Sequence, residues 1–250
     1  MAIGNAGIAA QFDKKASTFT VKTFLRRYFY LCMSLALAGL VAWGFSRTVD
    51  SHLFHGNPPR PWLLWVHGAA FCSWLVFLIL QSSLVTVRKV SVHRLIGWFG
   101  AGLAAVMVPL GVTIAIVMTR FDTSVLHQTD IASFLAIPFE DMLVFGTLVA
   151  LAIYWRKKPE YHKRLLFMAT CVLMDAAIGR FDFWFDHNIF YVGLDLLIVL
   201  GMVRDWIVDG RVHKVYLYTL PPMIAVQGLA VYLWRVNPGW WQGTTRGILG

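Results

Sequence analysis

The sequence predicts an all-α fold: a seven-transmembrane-helix bundle, with the N-terminus cytoplasmic and the C-terminus exoplasmic. Three observations predict it. The 250 residues are 58% hydrophobic and only 14% charged, with a mean hydropathy of +0.63, whereas a water-soluble domain is about a quarter charged. Windows approaching the ~20 apolar residues that cross a ~30 Å hydrocarbon layer recur along the whole chain. The basic residues gather in alternate connections between those windows, as orientation in a membrane requires.

In chain order, residues 1–27 form a cytoplasmic N-terminal arm, 28–234 the seven-helix transmembrane domain, and 235–250 an exoplasmic C-terminal tail. Arg26, Arg27, the apolar run after them and Ala36-Leu37-Ala38 imitate a cleavable signal. The polar segment before them is too long for a signal n-region, so the first span, 28–45, reads as an uncleaved anchor. The second span, 62–87, follows the Pro-rich stretch SHLFHGNPPRPW, and the third, 95–118, contains Pro109. Residues 119–133, TRFDTSVLHQTDIAS, are long enough for a short surface helix. The remaining spans are 134–155, 165–184, 189–207 and 216–234, with Pro138 and Pro221 inside two of them. Such prolines break a helix in water, but neighbouring helices in a bundle satisfy the freed carbonyls.

With the N-terminus inside, 16 of the 22 basic residues fall on the cytoplasmic side, in the arm and in the segments around Arg88, Lys157 and Arg211. Arg47, Arg60, Arg120, Arg180, Arg235 and Arg246 are the exceptions. The net charge of +9 therefore encodes topology and contact with the lipid bilayer, and no nucleic-acid motif accompanies it. Cys32, Cys72 and Cys171 lie within predicted spans without a CxxC, so neither a disulfide framework nor a zinc–thiolate site is indicated. RKVSVHRLIGW, KPEYHKRLLFM and DGRVHKVYLYT form a weak repeat. Its His93, His162 and His213 read as interfacial residues beside basic neighbours that would repel a metal cation. The aromatics around Phe181–Phe185 and at Trp240 and Trp241 read as an interfacial belt.

Depth follows from the ~1.5 Å helical rise. His67, Asp141 and Asp195 fall about 9–10 Å below the outer boundary, and Arg180 reaches a similar level from the other side. Glu140 adjoins this layer and Asp175 lies nearer the midplane. Each charge costs roughly 2.5–3.5 kcal/mol at a helix centre, so Arg180 is expected to pair with Asp141, Asp175 or Asp195. More acids remain than one guanidinium neutralises, so protonation, a metal or a cationic ligand must complete the layer. His67 shares a stripe with Phe71, Trp74, Leu78 and Gln81 at helical spacing. His52 and His55, on a loop that can fold over the mouth, would add imidazoles to His67 and a carboxylate from Asp141 or Asp195, a donor set suited to a first-row transition metal. Solvated positions for the loop histidines, and a structural hydrogen bond for His67, are the competing readings.

Haem fits less well, because His67 is the only histidine well inside a span. Retinal needs a lysine within a span and none is there. Nucleophile-elbow, P-loop and dinucleotide motifs are absent. Seven-helix zinc hydrolases of the ceramidase and progestin-receptor type are similar in architecture only, since residues 216–234 lack their H-x-x-x-H pair.

The stretches RPWLLWVHGAAFCSWLVFLILQ, VHRLIGWFGAGLAAVMVPLGV, LAIPFEDMLVFGTLVAL and RKKPEYHKRLLFMATCVLMDAAIGR resemble a group of uncharacterised bacterial polytopic membrane proteins, over roughly residues 60–180. The resemblance implies a bacterial cytoplasmic (inner) membrane protein and carries no established activity or site residue. Two function classes then fit the polar layer. One is an outward-facing site for a metal or small polar ligand, redox or hydrolytic if catalytic. The other is a non-enzymatic membrane subunit or transporter, using the same groups for proton or solute binding or for helix packing.

Overall fold

The computed structural model describes residues 3–129 and 131–250, with side chains described from residue 21 onward. It is all-helical, without a strand among the described residues. The helices are α1 (Ile3–Ser46), α2 (Leu63–Thr86), α3 (Val90–Ser124), α4 (Ala136–Tyr154), α5 (Pro159–Val172), α6 (Asp175–Ile178), α7 (Asp182–Asp186), α8 (Phe190–Asp209), α9 (Lys214–Val236) and α10 (Gly239–Leu249). A π-helical turn, Asp50–Phe54, follows α1, and a 3-10 turn, Ala132–Leu135, leads into α4.

Among the described residues, five helical stretches are long and apolar enough to cross a membrane: Val21–Ser46, Leu63–Thr86, Val90–Ser124, Ala132–Tyr154 and Lys214–Val236. Two predicted spans differ from that pattern. The window 165–184 is divided among α5, α6 and α7, because the chain turns at Leu173 and Met174 and again becomes extended at Phe181 (φ −98°, ψ 119°). Asp175 and Asp182 open the two short helices, as expected of residues that favour helix starts over helix interiors. The window 189–207 falls on α8, which is 20 residues long but includes Asp195, Arg204 and Asp205 and is not apolar along its whole length. Gly210, at φ +72°, ends it in the left-handed region that glycine adopts without strain.

The two ends of the chain are also more helical than expected. α1 starts at Ile3, so the N-terminal arm and the first span are one helix. Among the described residues of 119–133 no separate surface α-helix forms; α3 runs on to Ser124. An amphipathic helix appears instead in the C-terminal tail, as α10. Trp241 anchors it, 7% exposed, with Nε1 donating to the Ser133 carbonyl at 3.2 Å, and Arg120 donates to the Ile248 carbonyl at 2.7 Å.

Consecutive helices from α1 to α5 pack as neighbours, α9 lies against α4, and α8 against α5 and α1. The centre is therefore α4 and α5, where Phe145, Ala152, Leu165, Met168, Ala169 and Cys171 are fully buried. Cys32 and Cys72 sit on the exposed surface. α1 meets α6 at Gly44, where a Cβ would come within 2.5 Å of the Ala177 carbonyl oxygen. Only the absence of a side chain permits that approach, and it sets the position of Arg180, two residues beyond α6.

Candidate functional site

Polar side chains collect at the two opposite ends of the bundle. At the end bearing the α1–α2 connection, α4 supplies Glu140 and Asp141, α6 supplies Asp175, and α8 supplies Tyr191 and Asp195. The sequence places Asp141 one helical turn from Phe145 and Ile137, both buried, so its side chain shares their inward face. Glu140, Asp141 and Asp175 are 5–6% exposed. Glu140 Oε1 and Asp141 Oδ1 are buried acceptors without a donor. Tyr191 donates to the other Glu140 oxygen at 2.9 Å, and Gln227 of α9 donates to Asp195 at 3.3 Å.

Asp141 and Asp175 open onto a cavity of about 240 Å³, whose wall also includes Arg180 and the aromatic rings of Phe134, Phe185 and Phe190. The expected ion pair of Arg180 with Asp141, Asp175 or Asp195 is not made. Its Nε donates to Thr48 Oγ1 at 2.9 Å, its Nη1 donates to the Ala176 carbonyl, and the guanidinium lies 3.6 Å from the centroid of the Phe45 ring. The close α1–α6 contact explains this: Phe45 and Thr48 come within reach of the guanidinium before any carboxylate does. The sequence contains no signal for that contact other than Gly44 itself.

The histidines are dispersed. His52 Nδ1 donates to the Thr48 carbonyl at 2.8 Å, and His55 Nδ1 donates to Asp50 at 2.7 Å, so both loop imidazoles are engaged by their own π-helical turn. His67 is half-buried, its ring 4.1 Å from that of Phe71, and its buried Nδ1 has no partner. Among the described residues no group of three His, Cys, Asp or Glu side chains is placed to hold a metal ion. The structure thus brings Glu140, Asp141 and Asp175 together but does not gather His52, His55 and His67 with Asp141 and Asp195 as one ligand set. Gln81 lies buried on the same helix as Trp74, with its Oε1 unpartnered.

At the basic end is a second cluster, built on arginines that in the sequence signal only topology. Arg164 of α5, 1% exposed, holds Asp205 of α8 through two bonds, Nε to Oδ2 at 2.6 Å and Nη2 to Oδ1 at 2.8 Å. Arg204 Nη1 donates to the same Asp205 at 2.9 Å, and Arg164 Nη1 donates to the Glu160 side chain at 2.5 Å. Glu160 precedes the apolar part of α5. Burial acts to raise its pKa, but hydrogen bonds from Arg164 and Lys163 outweigh burial and hold the carboxyl down at about 2. Spacing carried a signal here: Glu160 and Arg164, like Asp205 and Asp209, stand four apart and so share a helix face.

Comparison with protein-family models, with curated proteins and with solved structures finds no match for this chain.

Proposed function

We propose that the protein is a seven-crossing bacterial cytoplasmic-membrane protein, N-terminus inside, whose cavity at Asp141 and Asp175 faces outward and binds a small, polar, hydrogen-bond-donating ligand. One observation carries the reading. Two buried carboxyls from different helices, Asp141 and Asp175, line a cavity in which Asp141 Oδ1 lacks a donor. A buried acceptor without a partner costs roughly 1–3 kcal/mol, and an ammonium, hydroxyl or proton entering the cavity removes that cost. Arg180, free of any acid, offers its remaining donors to an anionic or carbonyl group of the same ligand, and Phe134, Phe185 and Phe190 supply apolar contact.

The dispersal of the imidazoles favours an organic ligand or proton over a transition metal. Between the two polar ends, the inward positions of α4, α5 and α8 are Phe145, Leu148, Leu165, Met168, Leu194 and Ile198, all buried and apolar. That apolar middle favours a blind binding site over a continuous transport path. The two windows whose charges set them apart, α5 to α7 and α8, are read as crossings because Arg164 of α5 and Asp205 of α8 pair with each other inside the bundle. The resemblance to bacterial polytopic membrane proteins supports the assignment to an inner membrane.

The test is a thermal-shift panel of small amines, amino acids and polyols on detergent-purified protein. Stabilisation by at least one class, lost in Asp141→Asn and Asp175→Asn, is expected. No stabilisation by any class, or stabilisation that persists in the double variant, refutes the site. Elemental analysis showing stoichiometric metal that disappears in His67→Ala would move the function to a metal centre. Reporter fusions should place 88–94 and 156–164 inside and 46–61 outside; the reverse result would invert the face to which the cavity opens.

A further inference from the structure

A second cavity, of about 420 Å³, lies between α1 and α8 with the α6–α7 segment as its floor. Its walls are apolar throughout, among them Leu40 and Trp43 of α1, Phe181 and Trp184, and Leu196 of α8. Trp43 is 63% and Leu196 53% exposed, so the trench is open along its outer side. Gly193 lets α8 come down onto the floor: a Cβ there would stand 3.0 Å from Ile178.

Arg47 is the first residue beyond the end of α1, four residues after Trp43. Its guanidinium is 4.8 Å from the centroid of the Phe181 ring, which lines the trench. It is exposed, and it has no carboxylate partner among the described residues: Asp50 is taken by His55, and Asp182 makes no ion pair. A water-soluble ligand finds no hydrogen-bonding wall in this trench. From Leu40 to Arg47 it runs only about 10 Å along α1, too short to seat a partner helix, yet wide enough for a hydrocarbon chain. An unpaired cation at one end of an open apolar trench matches a molecule with an anionic head and a flexible apolar tail.

We propose that this trench binds one phospholipid, with its headgroup phosphate on Arg47 and an acyl chain between α1 and α8 over Phe181 and Trp184. The inference rests on the placement of these helices in a bilayer but is independent of the Asp141 cavity. A guanidinium presents paired donors that fit phosphate oxygens, and the chain replaces bulk lipid against the aromatic floor. α6 and α7, which are too short to hold their own position, gain a covering layer from it.

The experiment is native mass spectrometry of the full chain, delipidated in detergent and titrated with phosphatidylglycerol, with phosphatidylcholine and with inorganic phosphate alone. The wild type is expected to retain one phosphatidylglycerol, to hold phosphatidylcholine less tightly, and to show no retention of free phosphate. Arg47→Gln should weaken phosphatidylglycerol binding about tenfold, and Leu196→Trp, which fills the trench from a bilayer-facing position, should abolish it. Asp141→Asn should leave lipid retention unchanged, which separates this site from the polar cavity. Wild-type lipid retention in either Arg47→Gln or Leu196→Trp overturns the proposal, as does equal retention of free phosphate. Circular dichroism on both variants verifies that a loss of binding is not a loss of fold.

Discussion

Replacing Asp205 by Asn should be among the most destabilising single changes in the molecule. Asp205 is 0% exposed and accepts two hydrogen bonds from Arg164 and one from Arg204. The amide keeps the size of the carboxyl but removes its charge and turns one acceptor into a donor that faces a guanidinium. Two cations, 1% and 3% exposed, then rely on Glu160 and Asp209, whose side chains are 56% and 39% exposed. Breaking a buried ion pair from one side costs about 3–5 kcal/mol, because the stranded charge keeps its desolvation penalty. In a protein whose whole stability is of the order of 5–15 kcal/mol, that is a large fraction. At roughly 2–4 °C per kcal/mol for a chain of this size, the melting temperature in detergent should fall by about 6–20 °C.

The double variant Arg164→Met, Asp205→Leu removes both charges, and Arg204 keeps Asp209 at 3.4 Å. It should recover most of the loss, since an apolar pair of similar volume replaces a buried ion pair at little cost. Thermal unfolding of the wild type, the three single variants and the double variant gives the coupling energy directly. A loss below about 1 kcal/mol for Asp205→Asn, or strict additivity in the Arg164–Asp205 cycle, would refute the view that this cluster staples α5 to α8.

Three further outcomes are expected. Glu160 has a folded pKa of about 2 against an ordinary 4.5, so the unfolded chain takes up its proton first as pH falls. Its stabilisation is therefore present above pH 4.5 and lost as pH falls toward 2; more than half exposed, it is worth only about 0.5 kcal/mol after screening, and Glu160→Gln should flatten the acid limb of a pH–melting curve by that amount. Trp241→Ala removes the buried anchor of α10, a change of the order of 3–5 kcal/mol in local packing, and should speed amide hydrogen exchange across 239–249 while α4 stays protected. Gly44→Ala puts a Cβ 2.5 Å from the Ala177 carbonyl and should cost about 1–3 kcal/mol by prising α1 from α6, measured as a lower melting temperature; an unchanged value would deny the tight contact that positions Arg180.

Apolar run length made the helices legible, because crossing a bilayer imposes both length and composition on a segment. It failed at 165–184 because composition does not record a turn: Leu173 and Met174 are apolar, so the run reads as continuous although the chain bends there. Counting depth puts Asp141 at one level with Asp195 and Arg180, with Glu140 beside it and Asp175 nearer the midplane, since rise along a helix is almost fixed. It does not fix rotation or partner choice, so it pairs Arg180 with acids although Phe45 of α1 and Thr48 just beyond it stand closer. The basic end was misjudged for another reason. Arg164 and Arg204 obey the charge rule for inside segments, and a residue that satisfies one rule gives no sign that it also serves a second purpose.

The two polar clusters differ in balance, and the difference predicts opposite responses to the same chemical change. At the basic end, Arg164 and Arg204 meet Asp205, Asp209 and Glu160 with every short contact between opposite charges, so each carboxylate contributes to stability. Asp141 and Asp175 both line the cavity and Arg180 is engaged by Thr48 instead of either, so at least one carboxyl there is a cost that the fold tolerates. Asp175→Asn supplies an amide donor to Asp141 and removes one of two crowded acids. It should leave the melting temperature unchanged or raise it by about 2–4 °C, the equivalent of roughly 1 kcal/mol, while abolishing ligand-induced stabilisation. Proteins commonly hold such unfavourable groups where binding requires them, and gain stability when they are removed. If Asp175→Asn instead destabilised the protein as much as Asp205→Asn, the cavity acids would be a second structural staple, and the case for a ligand between them would fall.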